Sequence, residues 1–169
     1  DDDDRDIGGL AEVLEGLRLI YLADEPFRAA FTDKSIKTTA TRNNKVVRYI
    51  LCKLERQSSG LEVDFDSSSY TVEHILPQNP GKGWQAFRDS DLESFIYRIG
   101  NMSMLEAGKN RDLENAPFAD KKLILQGSTF ALTKKVAEDN ADWTPERIES
   151  RQRALANIAT SVWRIAQLS

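Results

Sequence analysis

The chain has 169 residues, of which 40% are apolar and 30% are charged, and its formal net charge is −4. This length and composition predict one globular domain with an apolar core of its own. The negative charge opposes a protein that holds nucleic acid through its overall field, although local basic clusters can still contact a phosphate backbone. The sequence contains no apolar run of about 18 residues and no secretory segment, so we expect no membrane insertion.

Cys52 is the single cysteine, and the apolar residues around it recur at helical spacing. This pattern predicts a buried position on a helix. One cysteine allows no disulfide within the chain, and no cysteine pair is available for a structural zinc ion. These features favour a reducing compartment, and we expect a cytoplasmic protein.

Residues 1–6 contain five aspartates and one arginine. Such a run is typical of a solvated tail or linker. Because these six residues carry the whole of the net charge, the remaining chain, residues 7–169, is close to neutral. Residues 7–169 are the predicted single domain.

The N-terminal third is predicted to be helical, because its apolar residues recur at intervals of three and four. The predicted helices span residues 10–23, 27–31 and 43–57. Asn43 or Asn44 is available as the N-cap of the third helix.

The centre of the chain predicts a small β element. Residues 61–65 alternate apolar and acidic side chains, as a half-buried strand does. Residues 70–76 form a second strand candidate, which Pro77 ends. The pattern then predicts a helix, an extended segment and a short helix, at 92–97, at 99–105 and from Glu106 onward.

The last third is again predicted to be helical, with helices over residues 121–126, over 130–138 and beyond 145. Thr144 is the predicted N-cap of the final helix, and Pro145 occupies its first position. The three tryptophans are predicted to be core residues: Trp84, Trp143 and Trp163. The predicted fold class is therefore α+β, mostly helical, with a small β element between helical flanks.

His74 is the single histidine, and it follows Glu73 near the end of a predicted strand. Asn101 and Asn110 lie downstream, nine positions apart. A neutral imidazole can take a proton from water at neutral pH, and carboxylate and amide oxygens are ligands that hard divalent cations prefer. These residues predict a one-metal site that cleaves phosphodiester bonds. Neighbouring side chains on a regular strand face opposite ways, so this site requires the backbone to turn near His74.

The same residues resemble the HNH nucleases, also called His-Me-finger or ββα-metal nucleases. Residues 73–77 match Glu-His-Ile-x-Pro, and residues 100–105 match Gly-Asn-x-x-x-Leu. Asn110 then follows Asn101 at the interval of that family. Glu73 is a departure from the motif, in which aspartate is commoner, and its extra methylene changes the reach of the carboxylate.

A longer resemblance is to the C-terminal domain of GmrSD-type modification-dependent restriction enzymes. Residues 115–121 match Asn-x-x-Phe-x-x-Lys, and residues 143–151 match Trp-Thr-Pro-x-x-Ile-x-x-Arg. This resemblance covers roughly residues 45–165. It implies a ββα core over about residues 61–122, with helical flanks over 7–57 and 123–167.

The resemblance also implies a role for each residue of the motif. His74 is the expected general base. Glu73 and Asn110 are the expected ligands of one Mg²⁺ or Mn²⁺ ion, without structural zinc. Asn101 is expected to brace the loop that carries His74. The expected reaction is metal-dependent cleavage or nicking of DNA.

Four basic residues near the motif are candidates for contacts with DNA phosphates: Lys109, Arg111, Lys121 and Lys122. We expect little sequence preference, because no basic recognition helix is evident. The resemblance implies an N-terminal partner domain that uses NTP and senses DNA modification, in a bacterial anti-phage restriction system. No phosphate-binding loop motif for that step occurs in this chain.

Two other interpretations remain open. The domain could be a catalytically silent nucleic-acid-binding or scaffold domain that keeps the fold. It could also be a helical protein-interaction module, although that leaves Glu73, His74 and the two asparagines unexplained.

Overall fold

A computed structural model describes residues 4–18, 20–88, 90–113 and 115–164. Its helices α1 to α8 span Asp4–Arg18, Asp24–Thr32, Thr41–Ser59, Leu92–Ile96, Ala107–Leu113, Phe118–Gln126, Ala131–Asp139 and Pro145–Trp163. Its strands are β1 (Tyr70–His74) and β2 (Met102–Glu106), and a 3₁₀ turn (Ile99–Asn101) leads into β2. The predicted class, α+β and mostly helical with a small β element, is confirmed. No helix of the described residues is long and apolar enough to cross a membrane.

The two strands pair in antiparallel fashion, from Tyr70 opposite Glu106 to His74 opposite Met102. Helix α5 begins directly after β2 and packs against both strands. The order strand, strand, helix is a ββα unit, and it lies within the predicted core region. The last residue of β1 is His74, so the topology places this side chain at one end of the sheet.

The prediction of a strand over residues 61–65 is wrong. These residues have no strand partner and pass over α3 instead. The alternation has another cause: Val63 and Phe65 pack towards the core, and the Phe65 ring meets the Tyr49 ring of α3 edge-on, with 5.6 Å between centroids. Arg48 of α3 fixes the segment further, because its Nε donates to the Phe65 carbonyl at 2.7 Å.

Both ends of helix α1 differ from the prediction. Helix α1 ends at Arg18 rather than near Ala23, and it already includes Asp4–Asp6 of the predicted acidic tail. Residues 1–3 of that tail lie outside the described residues.

The predicted N-cap of α3 is also wrong. The helix begins at Thr41, and the Asn43 side chain donates from Nδ2 to the Lys37 carbonyl at 2.8 Å, which ties the preceding loop to the first turn. The N-cap of the last helix is confirmed, because Thr144 Oγ1 accepts a hydrogen bond from the Arg147 amide.

The core lies between the sheet and the long helices α3 and α8, with α7 packed on β2. Its fully buried members include Val47, Leu54, Leu105, Val136, Ile148 and Leu155. Trp84 and Trp143 are buried as predicted, and Trp163 is partly buried against the core. Cys52 is buried too, and burial raises the pKa of its thiol to about 11, so it is unreactive at neutral pH.

Candidate active site

The His74 imidazole lies on the face of β1 that meets the segment between α2 and α3. Its Nε2 atom is 3.0 Å from Thr38 Oγ1, and its ring meets the Tyr97 ring edge-on, with 6.0 Å between centroids. Burial, together with a smaller effect of the positive charge of Lys121, lowers the pKa of His74 to about 4. The imidazole is therefore neutral at pH 7 and can accept a proton.

Asn101 fixes the loop that follows His74. Its Oδ1 accepts hydrogen bonds from the Leu76 amide at 2.8 Å and from Trp143 Nε1 at 3.0 Å. Its Nδ2 donates to the carbonyls of Leu76 at 2.9 Å and Ile96 at 3.0 Å. With no exposed surface and four hydrogen bonds, the side chain contacts the loop in the way that a bracing role requires, and it has no route to substrate.

Helix α8 holds Asn101 in place through the neighbouring Gly100. Arg151 donates to the Gly100 carbonyl at 2.7 Å, and Gln152 accepts from the Gly100 amide at 3.1 Å. A Cβ on Gly100 would lie 2.4 Å from the Ile148 carbonyl oxygen, so only glycine allows this approach.

Glu73 lies on the opposite face of β1 from His74 and forms a buried ion pair. Its Oε1 accepts from Lys121 Nζ at 2.5 Å, and the same ammonium donates to the His74 carbonyl at 2.9 Å. Glu73 is 5% exposed and Lys121 is 0% exposed. Burial raises the pKa of the carboxyl and lowers the pKa of the amine, while their mutual attraction opposes both shifts.

Asn110 shares the face of β1 that carries Glu73. Its Nδ2 donates to Thr71 Oγ1 at 2.6 Å and to the Val72 carbonyl at 3.3 Å, which ties α5 to β1. The fold therefore brings Asn110 and Glu73 to one side of the strand and presents His74 on the other.

The sequence matches the family described as GmrSD restriction endonucleases, C-terminal domain, over residues 21–158. The chain belongs to this family. A search of curated proteins found no match. Membership confirms the predicted resemblance and makes this chain a restriction-endonuclease module whose substrate is DNA.

The expected divalent cation does not fit the donors of this GmrSD C-terminal domain as they are arranged. The Glu73 carboxylate is nearly inaccessible, and it already has the Lys121 ammonium at hydrogen-bond distance. Mg²⁺ keeps several waters and also needs contact with a substrate phosphate, and a buried carboxylate beside a positive charge offers neither. The described residues contain no group of three His, Cys, Asp or Glu side chains placed to bind a metal.

The four basic residues predicted to contact DNA phosphates differ in their surroundings. The prediction for Lys121 is wrong, because its ammonium is inside the protein and paired with Glu73. Lys109 donates to the Gly127 carbonyl at 2.5 Å, and Lys122 donates to the Asn140 carbonyl at 2.8 Å, so both stabilise the fold. Arg111 is exposed.

The structure points instead to a basic segment that the sequence analysis missed. Between Lys34 and Lys53 the chain has six lysines and arginines and no acidic residue. This run begins just after α2 and covers most of α3, and Thr38 within it contacts the His74 ring. A count of charges along this helix, rather than only around the motif, could have found it.

Proposed function

We propose that this domain is an HNH-type endonuclease that hydrolyses DNA phosphodiester bonds with His74 as the general base. The observation that supports the proposal is the position of the single histidine at the end of β1, in a ββα unit of a restriction-endonuclease family member. Its imidazole is neutral at physiological pH, because burial lowers its pKa to about 4. A base that is already deprotonated can act without first losing a proton.

In the proposed reaction, a water molecule attacks the phosphorus atom while His74 takes one of its protons. The new P–O bond forms as the bond to the leaving 3′ oxygen breaks, and the leaving oxygen takes a proton from solvent. Thr38 Oγ1 contacts Nε2 of the ring. When Nε2 donates its hydrogen to Thr38, Nδ1 is the nitrogen that accepts the proton from water.

No step of the proposed reaction is assigned to the expected cation. A bound Mg²⁺ or Mn²⁺ ion supplies Lewis-acid stabilisation of the charge on phosphate. Glu73 is not available for that role while it is paired with Lys121.

We also propose a biological setting from the family description. The domain acts as the cleaving part of a bacterial anti-phage restriction system, in the cytoplasm, and nicks DNA with little sequence preference. Recognition of modified DNA and use of NTP belong to an N-terminal partner domain. The description of the family as restriction endonucleases supports this setting.

One observation favours a second candidate function, a nucleic-acid-binding domain without catalysis. The Glu73–Lys121 pair occupies the acidic residue of the motif, which the family resemblance implies is a metal ligand. Nucleolytic activity distinguishes the two candidates.

The test is relaxation of supercoiled plasmid by the whole chain with Mg²⁺, with Mn²⁺ and with EDTA. We expect relaxed circles with wild-type protein and a rate about 10² to 10⁴ lower for His74→Gly. Added imidazole should restore part of the activity of His74→Gly, which a purely structural role would not allow. Activity that persists in EDTA would exclude the cation. Plasmid that stays supercoiled under all three conditions would overturn the nuclease proposal in favour of the silent binding domain.

A further inference from the structure

Exposed basic side chains lie in the loop before α3 and in the first turns of that helix. We call Lys37, Arg42 and Lys45 the basic patch; all three are exposed. Thr38, which contacts the His74 ring, is in the same stretch of chain. Lys37 also lies 5.6 Å over the Tyr97 ring, and that ring packs against His74.

The segment that carries the basic patch is fixed relative to His74. The Ile36 amide donates to the Tyr97 carbonyl at 2.9 Å, and Ser35 forms an isolated bridge with Arg98. On the other side, Gln152 of α8 donates to the Lys34 carbonyl at 2.8 Å. A phosphate bound here is therefore held at a defined place beside the imidazole.

An open cleft of about 380 Å³ lies beside Lys45, the member of the patch that lines it. Hydroxyl, amide and cationic side chains line it, namely those of Thr38, Thr39, Thr41, Asn44, Lys45 and Arg48, with Asp66 as its one acid. Hydroxyls, amides and ammonium groups are the donors that proteins use for DNA phosphates. Arg48 is already occupied, because it donates to the carbonyls of Phe65 and Ser67.

The acidic side chains beside the patch pair only weakly with its cations. Lys37 pairs with Glu93 at 2.6 Å, and Lys45 pairs with Asp66 at 3.1 Å. All four side chains are more than half exposed, so solvent screens both pairs and a phosphate can replace the carboxylate.

We propose that the basic patch binds the DNA backbone and sets a phosphodiester group beside His74. The ligand is the phosphate backbone of duplex DNA, without base readout. The role of His74 in this proposal rests on the proposed function, but binding of DNA to the patch does not depend on catalysis.

The test compares two triple variants that each remove three positive charges. The first is Lys37→Gln/Arg42→Gln/Lys45→Gln. The matched control is Lys135→Gln/Arg147→Gln/Arg153→Gln on α7 and α8, where the cations are likewise exposed and have acidic neighbours within 4.0 Å. A Lys37→Arg/Lys45→Arg variant keeps the charge and should bind as the wild type does. Thermal unfolding of each variant checks the fold.

Binding to fluorescent duplexes of unrelated sequence is measured by anisotropy, in a His74→Ala background, at several salt concentrations. Loss of three phosphate contacts should flatten the slope of log affinity against log salt by about 2.7. Between 50 and 200 mM salt, affinity should then fall roughly 40-fold less for the patch variant than for its parent. The control should retain the parental slope. Equal effects of the two triple variants, or no effect of the first, would overturn the proposal.

Hydrolysis of bis(p-nitrophenyl) phosphate, a small phosphodiester, distinguishes this proposal from the proposed function. With His74 intact, the control variant should keep the wild-type rate on both substrates, and the patch variant should lose cleavage of plasmid. If the wild type hydrolyses neither substrate while the patch variant still loses DNA affinity, the nuclease proposal fails and the binding surface remains.

Discussion

Replacement of Lys121 by methionine tests whether Glu73 is a structural partner or a free metal ligand. The structure places the ammonium at 0% exposure, 2.5 Å from Glu73 Oε1 and 2.9 Å from the His74 carbonyl. Removal of one partner from a buried ion pair costs about 3 to 5 kcal/mol, because the remaining charge is uncompensated. We therefore expect Lys121→Met to lower the free energy of unfolding by that amount at pH 8.

The double variant Glu73→Leu/Lys121→Met should recover most of this loss. Two apolar side chains of similar volume remove the buried charges together, and such replacements are often close to neutral. The cost that remains is the His74 carbonyl without its donor, about 1 kcal/mol. The double variant should therefore be about 2 to 4 kcal/mol more stable than Lys121→Met alone.

The pH dependence of the single variant gives a second check. Burial already raises the pKa of the Glu73 carboxyl, and loss of Lys121 raises it further. A carboxyl whose pKa is higher in the folded than in the unfolded protein takes up protons on folding, so Lys121→Met should become less stable as pH rises from about 4.5. Its deficit should thus be smaller at pH 5 than at pH 8.

Urea unfolding followed by tryptophan fluorescence measures all of these free energies. The exposed pair Lys135–Asp139 is the matched control, and its removal should change stability by less than about 0.5 kcal/mol. Additive effects below about 1 kcal/mol for both Glu73→Leu and Lys121→Met would refute the buried pair. Glu73 would then be free to bind a cation, as the family resemblance implies.

Two other predictions concern the residues around the loop. On a small phosphodiester, the acid limb of kcat/KM should lie near pH 4, and a limb near the ordinary imidazole value of about 6.5 would contradict the burial of His74. Because that pKa is lowered only in the folded state, the fold should also lose up to about 3 kcal/mol as pH falls from 7 to 4. Asn101→Ala removes four buried hydrogen bonds and should lower the free energy of unfolding, measured in urea, by about 3 to 4 kcal/mol, without any response to Mn²⁺.

Helices with a strong apolar period were predictable from this sequence, and so was β1, whereas the predicted strand over residues 61–65 is absent. The final helix was predicted from its cap, because Thr144 and Pro145 mark its start by local chemistry alone. The strand over residues 61–65 failed since alternation reports only that one face is buried. Val63 and Phe65 do face the core, but the element beneath them is α3 rather than a strand, and no local signal identifies that partner.

The spacing of the motif residues identified them, but it did not indicate which of them are buried. The prediction that Lys121 contacts DNA assumes a surface position, because lysine rarely lies inside a protein. Its position argued otherwise: Phe118, Lys121 and Leu125 are three and four residues apart, and the structure buries all three on one face of α6. A lysine in such a stripe needs a buried acid, and Glu73 supplies it from β1. The long-range pairing could not be read from either residue alone.

The two faces of β1 carry different groups, and this difference determines the side from which we propose that DNA approaches His74. On one face, Lys121 pairs with the buried Glu73 carboxylate, and Asn110 joins α5 to the strand through a hydrogen bond. The other face presents His74 to Thr38, and Thr38 also lines the cleft beside Lys45. The proposed DNA path along the basic patch therefore lies outside the ββα unit, at the start of α3 rather than on the helix that carries Lys109 and Arg111.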